Sequence, residues 1–136
     1  MQYDTKIAIV IRDDLPGWQK LNATAFLSGG LVGASPEIAG EPYRDGSGVP
    51  YGPMISQPIM IFAGAGDDLK KVLSRALSRG LTPSVFTLDL FATMNDADNR
   101  AAVASVATDD LDLAGLAIHA DRKAVDKVIK GLKLHP

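Results

Sequence analysis

Six polar side chains fall where a strand is expected to end or a helix to begin: Arg12, Asp14, Lys20, Asp89, Thr93 and His119. In open α/β sheets, ligands and substrates gather beyond the carboxyl ends of strands. Lys20 lies in the first turn of a predicted helix, where a cation opposes the helix dipole. Helix stability therefore does not explain it. A lysine there can hold an anion or polarise a carbonyl; its plainer role is a surface lysine. Asp13 and Asp14 suit capping, and Asp89 suits a turn at the end of an apolar strand. His119 has two readings, a base or a hydrogen-bonded edge histidine. Trp18, in the turn before Lys20, offers an aromatic face to a ligand.

Familiar reaction motifs are missing. No Gly-x-Gly-x-x-Gly follows a strand. Gly64-Ala65-Gly66 has the right place but lacks the third glycine, and Asp67-Asp68 would repel a phosphate. There is neither a P-loop nor a Gly-x-Ser-x-Gly elbow. No cysteine is present, which removes thiolate chemistry and cysteine-based zinc sites. His119 and His135 are the only histidines, so a histidine-based metal site is not expected. Carboxylate-only magnesium binding through Asp96, Asp98, Asp109 and Asp110 competes with a solvated acidic loop, which is the better reading. No cofactor is expected.

The elements that must position these groups follow from periodicity. Lys6 to Arg12 is a run rich in β-branched residues, as in a strand buried on both faces. Asp13 to Gly17 breaks it. A helix is expected from about Trp18 to Leu31, with Leu21, Ala25 and Ser28 on one side and Gly29-Gly30 ending it. Tyr43 to Tyr51 forms a small hairpin around Asp45-Gly46. Gln57 to Ala63 is a second buried strand. Asp67 is expected to cap a helix whose apolar stripe is Leu69, Val72, Leu73, Ala76 and Leu77, with Gly80 past its end. Strands are expected over Thr82–Leu88 and Asp112–Ile118. Asn95 or Asp96 caps a helix to about Ala107, Asp121 caps a last one, and Leu132-Lys133-Leu134 forms a short edge strand or tail. Strands alternating with helices predict a three-layer α/β/α fold around a mostly parallel or mixed sheet of four to five strands.

With 136 residues, 46% of them hydrophobic, the chain can bury one core and is expected to form a single α/β domain over 1–136. No apolar run is long enough to span a membrane. The N-terminal residues do not resemble a signal peptide, so a cytoplasmic location is expected. The net charge of −2 does not mark a nucleic-acid binder. Charge is unevenly spread, with 81–120 acidic and 121–136 basic; the basic block reads as the solvated face of a helix, its alternative being a phosphate-tracking patch.

Taken in order, these pieces resemble the type II peptidyl-tRNA hydrolases. Ile9 to Leu15 is similar to that family's first strand and Asp-Leu turn. Lys20 to Ala25 is similar to the start of its first helix. Leu69 to Leu81 is similar to its second helix. Asp89 and Thr93 match an Asp and a Thr four residues apart, and Val128 to Leu134 is similar to its closing segment. The likeness covers most of the chain and extends to an uncharacterised bacterial family of unknown function that is understood to share the fold. The resemblance implies a type II peptidyl-tRNA hydrolase-like fold, with Lys20, Asp89 and Thr93 as a catalytic group. Arg12, Asp14, Trp18 and His119 would then border a ligand. The lysine would neutralise an oxyanion, and the Asp and Thr would orient a water.

The chain departs from the family in the turn before the helix. Pro16-Gly17-Trp18-Gln19 replaces a turn rich in glycine and lysine, leaving Lys20 as its only cation. Affinity for a polyanion depends on Lys and Arg contacts. Residues 39–56 and 95–109 are also elaborated, the latter acidic. The expectation is a retained scaffold without tRNA as a partner. Such a scaffold is expected to act as a hydrolase of a small ester or amide. Its alternative is a non-catalytic module that binds a small-molecule ligand or forms a homodimer, favoured by Trp18, Met54, Ile55 and Phe91.

Overall fold

The computed structural model describes residues 3–136. Five strands form one mixed sheet in the order β5-β6-β1-β4-β7. They are β1 (Thr5–Arg12), β4 (Ile59–Gly64), β5 (Ser84–Thr87), β6 (Leu113–Asp121) and β7 (Lys133–Leu134). The short strands β2 (Tyr43–Arg44) and β3 (Pro50–Tyr51) make the expected hairpin apart from it. The helices are α1 (Gly17–Ala34), α2 (Gly66–Ser78), α3 (Asp96–Ala104) and α4 (Arg122–Val128).

β1 is central and buried on both faces. Ile7, Ile9 and Ile11 point to one side, where Ala23, Leu27 and Leu31 of α1 cover them. Ala8 and Val10 point to the other, against Leu69, Val72 and Leu73 of α2 and Val125 and Val128 of α4. The two-residue alternation of a strand thus feeds two cores from one segment. This is the expected three-layer arrangement. Of the two expected sheet types, mostly parallel or mixed, the sheet is the mixed one. β1 pairs parallel with β4 alone, while β1–β6, β5–β6 and β4–β7 are antiparallel. β6 enters the sheet between β5 and β1, and a strand's direction there is a tertiary outcome.

Gly115 of β6 explains how close α1 can come to the sheet. A Cβ there would sit 2.8 Å from Ile11 Cδ1, 3.0 Å from Leu27 Cδ1 and 3.1 Å from the Val10 carbonyl oxygen. Glycine is the side chain that leaves this room.

Several element boundaries differ from expectation. α1 runs through Gly29-Gly30 to Ala34, because Gly30 faces Ser84 of β5 at close range and packing outweighs the helix-breaking tendency. The buried stripe of α1 is Ala23, Leu27 and Leu31, whereas Leu21, Ala25 and Phe26 are exposed. In α2 the N-cap is Ala65, not Asp67; Asp68 closes the turn by accepting the Ala65 N–H at 3.0 Å. Leu77 of the predicted stripe is half exposed. Gly80 follows α2 with a φ of +72°, the left-handed conformation expected there. Asn95 caps α3 by accepting the Asp98 N–H, but that helix ends at Ala104 rather than Ala107. Among the described residues no helix is long and apolar enough to cross a membrane.

Candidate functional site

β5 and β1 are both antiparallel to β6, so they point the same way and their carboxyl ends open on one edge of the sheet. The 3-10 turn Leu88–Ala92 follows β5, and α1 follows β1. Trp18, in the first turn of α1, meets Phe91 of the 3-10 turn edge-on, with centroids 5.6 Å apart. Phe91 continues to Phe86 at 4.8 Å, and Phe86 to Phe26 at 6.0 Å. These four aromatics join α1, β5 and the turn.

A groove of about 550 Å³ opens beside them, between α1, the edge strand β5 and α3. Phe26, Phe86, Val85 and Leu90 line it, while Ser84, Asn99 and Arg100 supply polar groups. A second hollow of about 320 Å³ shares Phe26, Phe86, Leu90, Asp96 and Asn99 with it and extends the groove to Trp18 and Thr93. The Thr93 hydroxyl is engaged by the Leu90 carbonyl at 2.9 Å and by the Asn99 side chain. Arg100 is paired with Asp96 one turn away on α3. The groove is therefore an apolar hollow, rich in aromatics, rimmed by neutral amides and hydroxyls and by one internally compensated ion pair. No residue of α3 is buried, so this wall of the groove is lightly held.

The other expected site residues are spread around this edge. Asp89 is exposed on the 3-10 turn, without a hydrogen-bond partner among the described residues. Lys20 does not share the groove. Two residues from Trp18 on a helix is about 200° of rotation, and Lys20 faces the opposite flank of α1. There its Nζ lies 3.4 Å from His135 Nε2, in a cleft bounded by Ile11, Thr24 and Ile61. Arg12 is clamped by Asp14 at 2.7 Å and Asp112 at 2.6 Å. The Arg12 guanidinium holds the Asp14 carboxyl below the ordinary carboxylate range. The hydrogen bond from Asp14, reinforced by Asp112, keeps Arg12 protonated in turn. This triad ties β1 to the loop before β6, which leaves little of the guanidinium for a ligand.

His119 lies away from this edge. β6 runs antiparallel to β1 and pairs His119 with Ile7, near the start of β1. Its Nε2 is 3.1 Å from Thr5 Oγ1 and its Nδ1 3.4 Å from Ser35 Oγ. It is a hydrogen-bonded edge histidine, remote from Asp89 and Thr93.

Phe26, Phe86, Asn99 and His135 were not among the expected site residues. An aromatic exposed on a helix was a usable signal for Phe26. His135 had none, because only the pairing of β7 with β4 brings it over the sheet, where its N–H donates to the Ile61 carbonyl at 2.9 Å. Among the described residues, no group of three or more Asp, Glu or His side chains gathers as a metal site would require.

The fold and these two hollows define a small mixed-sheet α/β domain with a ligand-sized groove at the sheet edge. Residues 5–136 match the family described as protein of unknown function (DUF2000), and the chain belongs to that family. It is similar to the solved structure of a protein of unknown function from Agrobacterium tumefaciens strain C58. The two are 48% identical, with a TM-score of 0.97, over 99% of this chain and 100% of that one. No curated protein matches the sequence.

Proposed function

We propose that this domain binds a small, largely apolar molecule in the groove between α1, β5 and α3. The observation that carries this reading is the groove's make-up: about 550 Å³ of aromatic-lined space with Ser84, Asn99 and Arg100 at its rim. Ligand sites are typically concave and mostly apolar, with a few convergent polar groups. The compensated Arg100–Asp96 pair favours a neutral ligand over a charged one. A thermal-shift screen of neutral aromatic compounds tests this. A hit should raise the melting temperature of the wild type and lose its effect in Asn99→Leu and Ser84→Leu. A hit unaffected by both substitutions would place binding elsewhere.

A second reading is hydrolysis of a small ester or amide on a type II peptidyl-tRNA hydrolase-like fold. It is favoured by Asp89 and Thr93 lying on one turn at the edge where β1 and β5 both end. Lys20 would have to act from the other flank of α1. Asp89 and Asp96 beside the groove, with a net charge of −2, disfavour tRNA as substrate. The check is turnover of a panel of aminoacyl esters. Loss of any activity in Asp89→Asn, with an unchanged melting temperature, would favour this reading over binding alone.

A further inference from the structure

The cleft on the other flank of α1 is separate from the groove and shares no residue with it. It holds about 460 Å³. Its floor is apolar, made by Ile11 of β1 and Ile61 of β4, with Leu21 on the α1 wall. Two nitrogen-bearing side chains stand in it, Lys20 and His135. Among the described residues no carboxylate lies within ion-pair distance of Lys20; its nearest polar side-chain partner is His135 Nε2 at 3.4 Å.

An ammonium only donates, so in a hydrogen bond between the two Nε2 is the acceptor. On the far side of the ring, Nδ1 lies 3.0 Å from the main-chain oxygen of Pro136. The cleft contains one ammonium, half-buried above an apolar floor, with His135 as its side-chain hydrogen-bond partner among the described residues. Thr24 brings no charge to the cleft, and its hydroxyl donates to the Lys20 carbonyl at 2.7 Å.

From this geometry we infer that the cleft is a binding site for a small organic carboxylate with an unbranched apolar tail. The carboxylate accepts from Lys20 Nζ, replacing the weak contact to His135 with a charge-assisted hydrogen bond. The tail lies on the half-buried Ile61, over the buried Ile11, and against the exposed Leu21. One positive charge matches one carboxylate. A phosphate dianion would bring a second charge that no cation in the cleft answers, and its burial over isoleucine would be unfavourable. An alcohol of the same length would gain the apolar contact but leave the ammonium uncompensated.

The test uses the whole protein labelled with nitrogen-15 and three probes of equal chain length: hexanoate, hexanol and hexyl phosphate. Hexanoate should shift the amide signals of Gly17, Lys20 and His135 saturably, and bind tighter than the other two probes. Lys20→Met keeps the aliphatic stem and removes the charge; it should weaken hexanoate by about tenfold or more, the worth of one charge-assisted hydrogen bond. Asn99→Leu, in the separate groove, should leave hexanoate binding unchanged, so this inference stands or falls independently of the groove. Equal binding of hexanol and hexanoate would overturn it, as would tighter binding of hexyl phosphate or undiminished hexanoate binding by Lys20→Met. The comparison of the three probes needs no variant, so it decides the matter even if Lys20→Met folds poorly.

Discussion

Trp18 and Phe91 meet edge to face, with ring centroids 5.6 Å apart and planes inclined at 72°. The contact ties the first turn of α1 to the turn after β5, so it spans the mouth of the groove. Trp18 is the only tryptophan and is 61% exposed. Its fluorescence therefore reports on that mouth alone. A ligand entering the groove should shift the emission to shorter wavelength. Phe91→Leu should cost about 0.5–1.5 kcal/mol through loss of the aromatic pairs and weaken that spectral response. Urea unfolding and emission scans measure both.

Gly115→Ala should destabilise the protein by about 1–3 kcal/mol, the usual cost of overpacking. The added Cβ meets Ile11, Leu27 and the Val10 backbone at once, and the backbone contact cannot be relieved by a rotamer change. The midpoint of urea unfolding should fall while its slope stays constant.

Thr87 carries a hydroxyl that is buried and has no hydrogen-bond partner among the described residues. Thr87→Val keeps the shape and removes that group. It should raise stability by about 1 kcal/mol, the lower end of the cost of an unsatisfied buried hydroxyl. Thermal denaturation of the two proteins measures the difference.

The 43–51 hairpin should be sensitive to acid. Asp45 accepts from the Tyr51 hydroxyl at 2.7 Å, the Ser47 N–H at 2.9 Å and the Val49 N–H at 3.0 Å. These bonds, Tyr51 first, hold its carboxyl below the ordinary value. A lowered folded value means the contribution is complete above the ordinary carboxylate range and is lost as pH falls through the lowered one. Carbon-13 titration of the side-chain carboxyl should show this midpoint, and Tyr51→Phe should move it upward.

The outer face of α1 is expected to make the protein a homodimer. Leu21 and Phe26 are 74% and 62% exposed there, beside Ala25, Gly29 and Gly33, and none of these carries a charge. Exposed apolar patches of this kind often mark sites of association. Ala25→Glu should yield a monomer by light scattering where the wild type gives twice that mass. A monomeric wild type would remove this expectation.

What local patterns determine was already legible in the chain. The β-branched run at Ile7–Ile11, the stripe of α2 apart from Leu77, the Asn95 cap and the Gly80 stop depend on residues only a few positions apart, and each appears where expected. Strand direction does not have a local cause. The antiparallel insertion of β6 between β5 and β1 decided that His119 lies away from Asp89 and Thr93. The helical rotation of α1 against the sheet decided that Lys20 and Trp18, two residues apart, face different hollows. Close packing at Gly30 and Gly115 decided that α1 passes through Gly29-Gly30 instead of stopping there. The sequence by itself determined most of the elements. Only the tertiary structure decided which of those residues share a cavity, because that depends on the direction of paired strands and on how closely a helix can approach them.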